Sequence, residues 1–182
     1  MKGWTDKDVE KAVRENEDVI ATDDNGMRIW TWQSDDESEP AEKGTTVKQA
    51  KEMVRPGDNI VVIPNARAKY RNNLVVYHCH YRGILVFDSI KEFDRYKQLR
   101  MLEAGEYIEQ LSLQKPFELQ PAFTLPNGTN VRAITYRADF YYEEDGVGIV
   151  EDVKGMHTKE FDLKWKMMQY KYGDHIELRL VK

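Results

Sequence analysis

The chain of 182 residues holds a single cysteine, Cys79, so no internal disulfide can form, and the absence of any CxxC pair leaves no thiolate set for zinc. Stability must come from packing. No apolar run approaches the roughly 18 residues that a membrane span requires; Ile60 to Ile63 is as far as one extends. No hydrophobic region of signal-peptide type follows Met1 to Asp6, so a soluble, cytoplasmic protein with no membrane partner is expected. Walker-type and GxGxxG loops are also missing, which argues against nucleotide-driven chemistry. What the chain does have is apolar and aromatic material: 41% hydrophobic residues, with 10 Tyr, 6 Phe and 4 Trp, enough for a real core. Its net charge of -5 argues at first against a nucleic-acid partner, since phosphate binding is driven by Lys and Arg. The charge is unevenly spread, however. Residues 1–64 carry 9 basic and 15 acidic side chains, whereas residues 65–182 carry 18 and 17, so the acidity belongs to the N-terminal third.

Residues 1–64 read as an acidic accessory region, a small α+β appendage. A helix opening at Thr5, a short strand over Met27 to Trp32, an acidic linker over Gln33 to Gly44, a helix over Val47 to Val54 stopped by Pro56-Gly57, and a strand over Asn59 to Ile63 are expected. Residues 65–182 read as one compact α/β domain. Val75, Tyr77, Cys79 and Tyr81 alternate with more polar neighbours, and Arg82-Gly83 turns the chain into Ile84 to Phe87, a hairpin. A helix follows from Ser89 to about Ala104, stopped by Gly105. Segments Leu111 to Pro116 and Phe117 to Phe123 lead to a Pro126-Asn127-Gly128 turn. A long strand Val131 to Tyr142, a strand Val147 to Lys154, a helix Thr158 to Tyr172 and a strand Ile176 to Val181 complete the chain.

Asp145-Gly146 is a strong signal for a two-residue hairpin turn. In that register Glu144 opposes Val147 and Asp139 faces Asp152, with Asp152 and Lys154 on one face of their strand and Val153 on the other. A four-residue loop over Glu143 to Gly146 would instead set Asp139 against Val150. Facing aspartates destabilise a sheet unless something offsets them. A divalent cation does so: two carboxylates and a backbone carbonyl, here that of Val153, make a hard-oxygen site for Mg²⁺. Lys154 is then placed to orient a water and to offset charge on a phosphate. The bland alternative is a surface ion pair, because the D-x-K triplet is common. A third acid, Glu92, sits in a capping box Ser89-Ile90-Lys91-Glu92, which by itself explains its presence; Asp88 is its substitute as a ligand.

The segments YRGILVFDSIKEFDRY (81–96), FELQP (117–121), ITYRADF (134–140) and EDVKG (151–155), with the following helix, resemble a phage and prophage family of uncharacterised function. That family looks like part of the PD-(D/E)XK nuclease superfamily, closest in style to phage endonuclease I type Holliday-junction resolvases. The resemblance covers about residues 67–182 and implies an α/β, restriction-endonuclease-like core with a central mixed sheet flanked by helices. It also implies Mg²⁺ or Mn²⁺ dependence, phosphodiester hydrolysis, a homodimer and a place in the cytoplasm of a bacterial host. The superfamily's helix Glu falls on Glu92, its strand Asp on Asp139, and its (D/E)xK on Asp152, Val153 and Lys154, while Ala138 replaces the proline that names the motif.

Lys159, Lys164 and Lys166 of the last helix make a candidate phosphate track beside such a site. His78 and His80 share a strand face but lack a third ligand, and Cys79 reads as a small buried hydrophobe. The leading expectation is a metal-dependent endonuclease acting on branched DNA. Its competitor is a nuclease-fold module without activity that binds DNA or a phage protein. The acid–acid–lysine set argues against the competitor, since uncompensated carboxylates hinder phosphate binding.

Overall fold

The computed structural model describes residues 39–40, 45–54, 60–63, 73–79, 82–154 and 158–181. The expected helix from Thr5, the strand Met27 to Trp32, the Pro56-Gly57 stop, the division at residues 64 and 65, and His80 lie outside them. Three helices and a mixed central sheet are described, and the described residues gather into two compact units, up to Lys97 and from Gln98 on. No described helix is long and apolar enough to cross a membrane.

The first unit holds a four-stranded sheet in the order β1-β2-β3-β4, with β1 at Glu39–Pro40, β2 at Ile60–Ile63, β3 at Leu74–Cys79 and β4 at Gly83–Phe87. The stretch read as a linker therefore supplies a short strand, parallel to β2, while the other pairs are antiparallel. Helix α1 (Val47–Met53) starts at a full capping box: Gln49 N donates to Thr46 Oγ1 at 3.3 Å and Thr46 N donates to Gln49 Oε1 at 2.8 Å. Ala50, Val54, Val61, Ile63 and Val76 form the core of this part. Val75, Tyr77 and Cys79 alternate with Val76 along β3, and Tyr77 and Phe87 pack on Phe93 with ring centroids 5.3 Å away in each pair. Buried Cys79 accepts from the Tyr96 hydroxyl at 3.6 Å, a packed thiol as expected. Helix α2 (Ile90–Ala104) buries Phe93, Tyr96, Leu99 and Leu102 at i, i+3, i+6 and i+9, where helical spacing alone also allows Arg100 and Glu103.

The second unit is built on a sheet ordered β10-β9-β8-β5, comprising β5 (Glu109–Gln120), β8 (Ile134–Glu144), β9 (Val147–Val153) and β10 (Ile176–Val181). Strands β5, β8 and β9 are antiparallel; β10 runs parallel to β9, so the sheet is mixed. A small hairpin, β6 (Phe123–Thr124) with β7 (Asn130–Val131), interrupts the passage from β5 to β8. Where the sequence suggests two segments divided at Pro116, the structure has one strand. Strand β5 lies at the sheet edge, where a proline removes no needed ladder donor. Helix α3 (Lys159–Tyr172) is capped by Thr158, whose Oγ1 accepts from Phe161 N at 3.1 Å. Its Phe161, Trp165 and Met168 pack with Phe117, Leu119, Tyr136, Ala138 and Val150 of the sheet. The far end of α3 is tied to β5 where the Tyr172 hydroxyl donates to Glu118 O at 2.8 Å.

The β8–β9 hairpin positions everything that follows. Asp145 and Gly146 have φ of 52° and 75°, the doubly left-handed geometry of a type I′ turn. Glu144 pairs with Val147, Tyr142 with Ile149, and Tyr141 rather than Asp139 with Val150, so the four-residue loop is excluded. Because a side chain at Gly146 meets no neighbour but must adopt positive φ, Gly146→Ala should cost about 1–2 kcal/mol, while Asp145→Asn should be near neutral. Urea unfolding midpoints check this; an unchanged midpoint for Gly146→Ala would contradict the turn.

Candidate active site

The β8–β9 ladder runs to Phe140 opposite Glu151 and stops one pair short of Asp139 and Asp152. The expectation of a regular opposed pair is corrected at this point, and the reason lies in a slip of side-chain phase along β8. Tyr136 and Tyr142 share the same parity. Yet the Tyr136 hydroxyl donates to Asp152 Oδ2, while the Tyr142 hydroxyl donates to Glu151 Oε2 at 2.9 Å, and residues 151 and 152 project to opposite faces of β9. Strict alternation cannot satisfy both. The phase therefore changes between these tyrosines, and Ala138 and Tyr141, of opposite parity, both pack towards α3. Across the sheet, Gln114 of β5 has φ of 52° and drops out of the register between the pairs Leu113–Phe140 and Lys115–Ala138. A non-glycine residue in the left-handed region is a strained position of the kind that clusters at functional sites.

The slip changes what Asp139 does. Its Oδ2 accepts from the backbone N–H of Val153 at 2.9 Å, so a side chain replaces the ladder acceptor where β8 and β9 part. Its Oδ1 lies 3.5 Å from Gln114 Nε2, and its carboxyl is also within hydrogen-bonding reach of the Asp152 carboxyl. Asp152 is 1% exposed. Its Oδ2 holds the Tyr136 hydroxyl, and its Oδ1 has the Lys154 ammonium 2.8 Å away as an ion pair but no well-directed hydrogen bond. Lys154 is itself placed by two contacts: its N–H donates to Val181 O at 2.9 Å, and its Nζ lies 5.2 Å from the Phe161 ring centroid. Asp139, Asp152 and Lys154 thus come together as the sequence suggests.

Burial, followed by the adjacent Asp152 carboxylate, pushes the Asp139 carboxyl up to about 6, against the opposing pull of Lys154 and the Val153 N–H. Burial and then the Asp152 charge also raise Tyr136, which keeps its proton and remains a donor. Each acid thus has one oxygen fixed by a hydrogen bond from the protein, while the two carboxyls approach each other beside the Lys154 ammonium. That arrangement suits Mg²⁺, which takes one or two carboxylates and fills its other positions with water and phosphate oxygens. Asp139 and Asp152 would hold it, and the Val153 carbonyl is the backbone ligand available beside them. Among the described residues no group of three or more His, Cys, Asp or Glu side chains is arranged as a metal set. Glu92 belongs to the first unit, 5% exposed, where its Oε2 accepts from Asp88 N at 3.0 Å and its own N–H donates to Ser89 Oγ at 3.1 Å. It is seen in the helix-capping role that its sequence spacing also allows.

Sequence reasoning missed three participants. Tyr136 looks like any strand aromatic, Gln114 carries no signal at all, and Glu151 is hidden by its neighbour. Glu151, 0% exposed, belongs to a network on the reverse face of the sheet, in which Arg179 donates to Glu144 at 2.6 Å, to Glu177 at 2.8 Å and to the Tyr142 hydroxyl at 3.1 Å. On α3, Lys159 and Lys166 share the outer crest with Leu163 and Tyr170, at i, i+4, i+7 and i+11, whereas Lys164 lies on the flank, 3.0 Å from Glu160. Lys164 and Glu160 line a groove of about 540 Å³ with Ala133, Ile134, Thr135, Leu163 and Met167. The expected lysine track is thus divided between two surfaces of the helix.

Residues 67–182, which include every one of these side chains, match a family described as Protein of unknown function (DUF1064). The chain belongs to this family. No curated protein and no solved structure matches it. Within the DUF1064 region the acid pair, Tyr136, Lys154 and α3 form one continuous constellation, all in the second unit.

The raised carboxyl carries a linkage consequence. Asp139 binds its proton more tightly folded than unfolded, so its contribution to stability is intact below about pH 4 and is lost as pH rises through about 6. Asp139→Asn keeps an acceptor for Val153 N and removes the repulsion. In EDTA at pH 8 it should be more stable than the parent by on the order of 1–3 kcal/mol, with the difference vanishing near pH 4. Denaturant titrations at the two pH values measure it, and equal stability at pH 8 would contradict the repulsion.

Proposed function

We propose that the chain is a Mg²⁺- or Mn²⁺-dependent DNA endonuclease with a restriction-endonuclease-like PD-(D/E)XK core, encoded by a phage or prophage. It hydrolyses phosphodiester bonds in branched DNA such as four-way junctions. The observation that carries this reading is the meeting of Asp139, Asp152 and Lys154 where two adjacent strands separate, each acid with one oxygen pinned by a hydrogen bond from the protein. A structural ion pair has no need of a second, repelling carboxylate beside it. The mixed sheet with α3 against one face is consistent with such a core.

Asp139 and Asp152 would hold the divalent ion. Once bound, it supplies a water of lowered pKa and a polarised phosphoryl oxygen. The Tyr136 hydroxyl and the Val153 N–H fix the two carboxylates, so that they need little reorganisation. Lys154 Nζ orients the attacking water and offsets negative charge gathering on the phosphate. Water loses a proton to solvent as it adds to phosphorus, and the bond to the 3′-oxygen breaks, leaving a 5′-phosphate and, after protonation from solvent, a 3′-hydroxyl. Cutting two strands symmetrically calls for a homodimer. Lys159 and Lys166, on the exposed crest of α3, are the better placed of the three lysines to contact the DNA backbone.

Labelled four-way junctions and linear duplexes incubated with and without Mg²⁺ test the proposal. Junction cleavage should require the metal. Asp152→Asn and Lys154→Ala should each slow it by about 100-fold or more while leaving junction binding in EDTA within about threefold. Cleavage by Asp152→Asn at the parental rate would remove the acid pair from the mechanism.

A further inference from the structure

The hairpin between β5 and β8 is the longest unbroken exposed run among the described residues. Every residue from Pro121 to Asn130 is exposed, including Phe123 at 46% and Leu125 at 39%. Phe123 and Leu125 are two residues apart on one short hairpin, and apolar side chains grouped at a surface point to an interaction site where single ones do not. The tip is well held by its own bonds. Leu125 N donates to Thr129 O and Gly128 N to Leu125 O, both at 2.9 Å, and Thr124 Oγ1 donates to Asn130 Oδ1 at 2.8 Å. Thr129 N donates to Asn127 Oδ1 at 3.0 Å. Phe123 and Leu125 are thus presented before any partner arrives.

Charge indicates which partner. No Asp or Glu occurs from Leu119 through Ala138, in a chain where 32 of 182 residues are acidic, and the stretch carries Arg132 and Arg137, both exposed. In a protein of net charge -5, an acid-free stretch of this length with two cations suits a polyanion. Its strand also leads to the reactive groups: from Ile134 to Asp139 is five residues of β8, about 17 Å, the length of roughly five stacked base pairs. The foot of the hairpin thus lies within the length of a single DNA arm from the carboxylates.

We infer that the β6–β7 hairpin is a DNA-reading wedge, whose Phe123 and Leu125 pack against bases left unstacked at a branch point while Arg132 and Arg137 hold the adjoining phosphates. Aromatic and aliphatic wedges act on nucleic acid in this way because every base offers an apolar face, and a base already unstacked is the least costly to engage. This gives the site its preference for branched over linear DNA. The inference rests on the nuclease reading for its substrate but not for its measurement.

The test is binding in EDTA, where no cleavage can occur, of a four-way junction carrying 2-aminopurine at the branch and of a linear duplex of the same sequence. The parent should bind the junction at least about tenfold more tightly than the duplex and brighten the probe. Phe123→Ala/Leu125→Ala, checked for an unchanged melting temperature, should lose that preference and the brightening while binding duplex within about twofold. Arg132→Ala should weaken both substrates and lower the salt dependence of binding. A double variant with the parental preference would overturn the inference, as would one that changes the mass of the protein in sedimentation without changing DNA binding, which would make the hairpin a protein interface. Junction binding through the hairpin with no metal-dependent cleavage would instead sink the nuclease reading alone.

Discussion

Two carboxylates of like charge, Asp139 and Asp152, stand together in a part of the sheet where water is scarce, and the surrounding structure is arranged around that conflict. Asp152 is almost wholly enclosed, with a tyrosine hydroxyl on one oxygen and an ammonium beside the other. Asp139 takes a backbone N–H that would otherwise have belonged to the ladder and holds its proton more tightly than an ordinary carboxyl. Neither arrangement survives without the other: the Val153 N–H is available only because β8 leaves the ladder at Asp139, and Tyr136 reaches Asp152 only because the side-chain phase of β8 slips there. The protein thereby keeps a repulsive pair in place and ready for a cation.

The rest of the second unit supports that geometry. The type I′ turn at Asp145-Gly146 sets the register of the hairpin, and β10, parallel to β9, continues the sheet past it. On the reverse face, Tyr142 binds Glu151 and Arg179 gathers Glu144 and Glu177, so that β9 is bound to β8 through a tyrosine on each side, one for each of two consecutive acids. Burial lowers the pKa of the Arg179 guanidinium, but its bonds to Glu177 and Glu144 outweigh this and hold it well above its ordinary value, so it stays charged. On the other face, Phe161 of α3 closes over Lys154. The lysine is thus confined on one side by an aromatic ring and on the other by a carboxylate.

Much of this was legible in the sequence, where the signal was local. The Asp145-Gly146 dipeptide fixed the pairing down to Phe140 and Glu151, the apolar spacing from Phe93 to Leu102 gave α2 its buried stripe, and Ile176 to Val181 was found as a strand with its observed limits. The grouping of Asp139, Asp152 and Lys154 followed from that register alone. What was not legible depended on tertiary competition. Pro116 reads as a break unless β5 is known to be an edge strand. Alternation cannot reveal a phase slip that arises because Asp139 binds a backbone N–H, and so it could not bring Tyr136 to Asp152. Gln114 bears no mark of its left-handed backbone. Glu92 illustrates the opposite case, a residue whose capping geometry was as visible in its spacing as any catalytic role.

The central claim is that the acid pair is kept apart from full neutralisation so that a divalent ion can complete it. Crystals of the whole chain soaked in Mn²⁺ and measured at the manganese absorption edge test this most directly. The account predicts an anomalous peak beside the Asp139 and Asp152 carboxylates, with Lys154 Nζ drawn away from its present 2.8 Å contact and the Tyr136 and Val153 hydrogen bonds unchanged. A map with no peak at millimolar Mn²⁺, and with Lys154 still seated on Asp152, would show a pair already satisfied by the protein and would contradict the account.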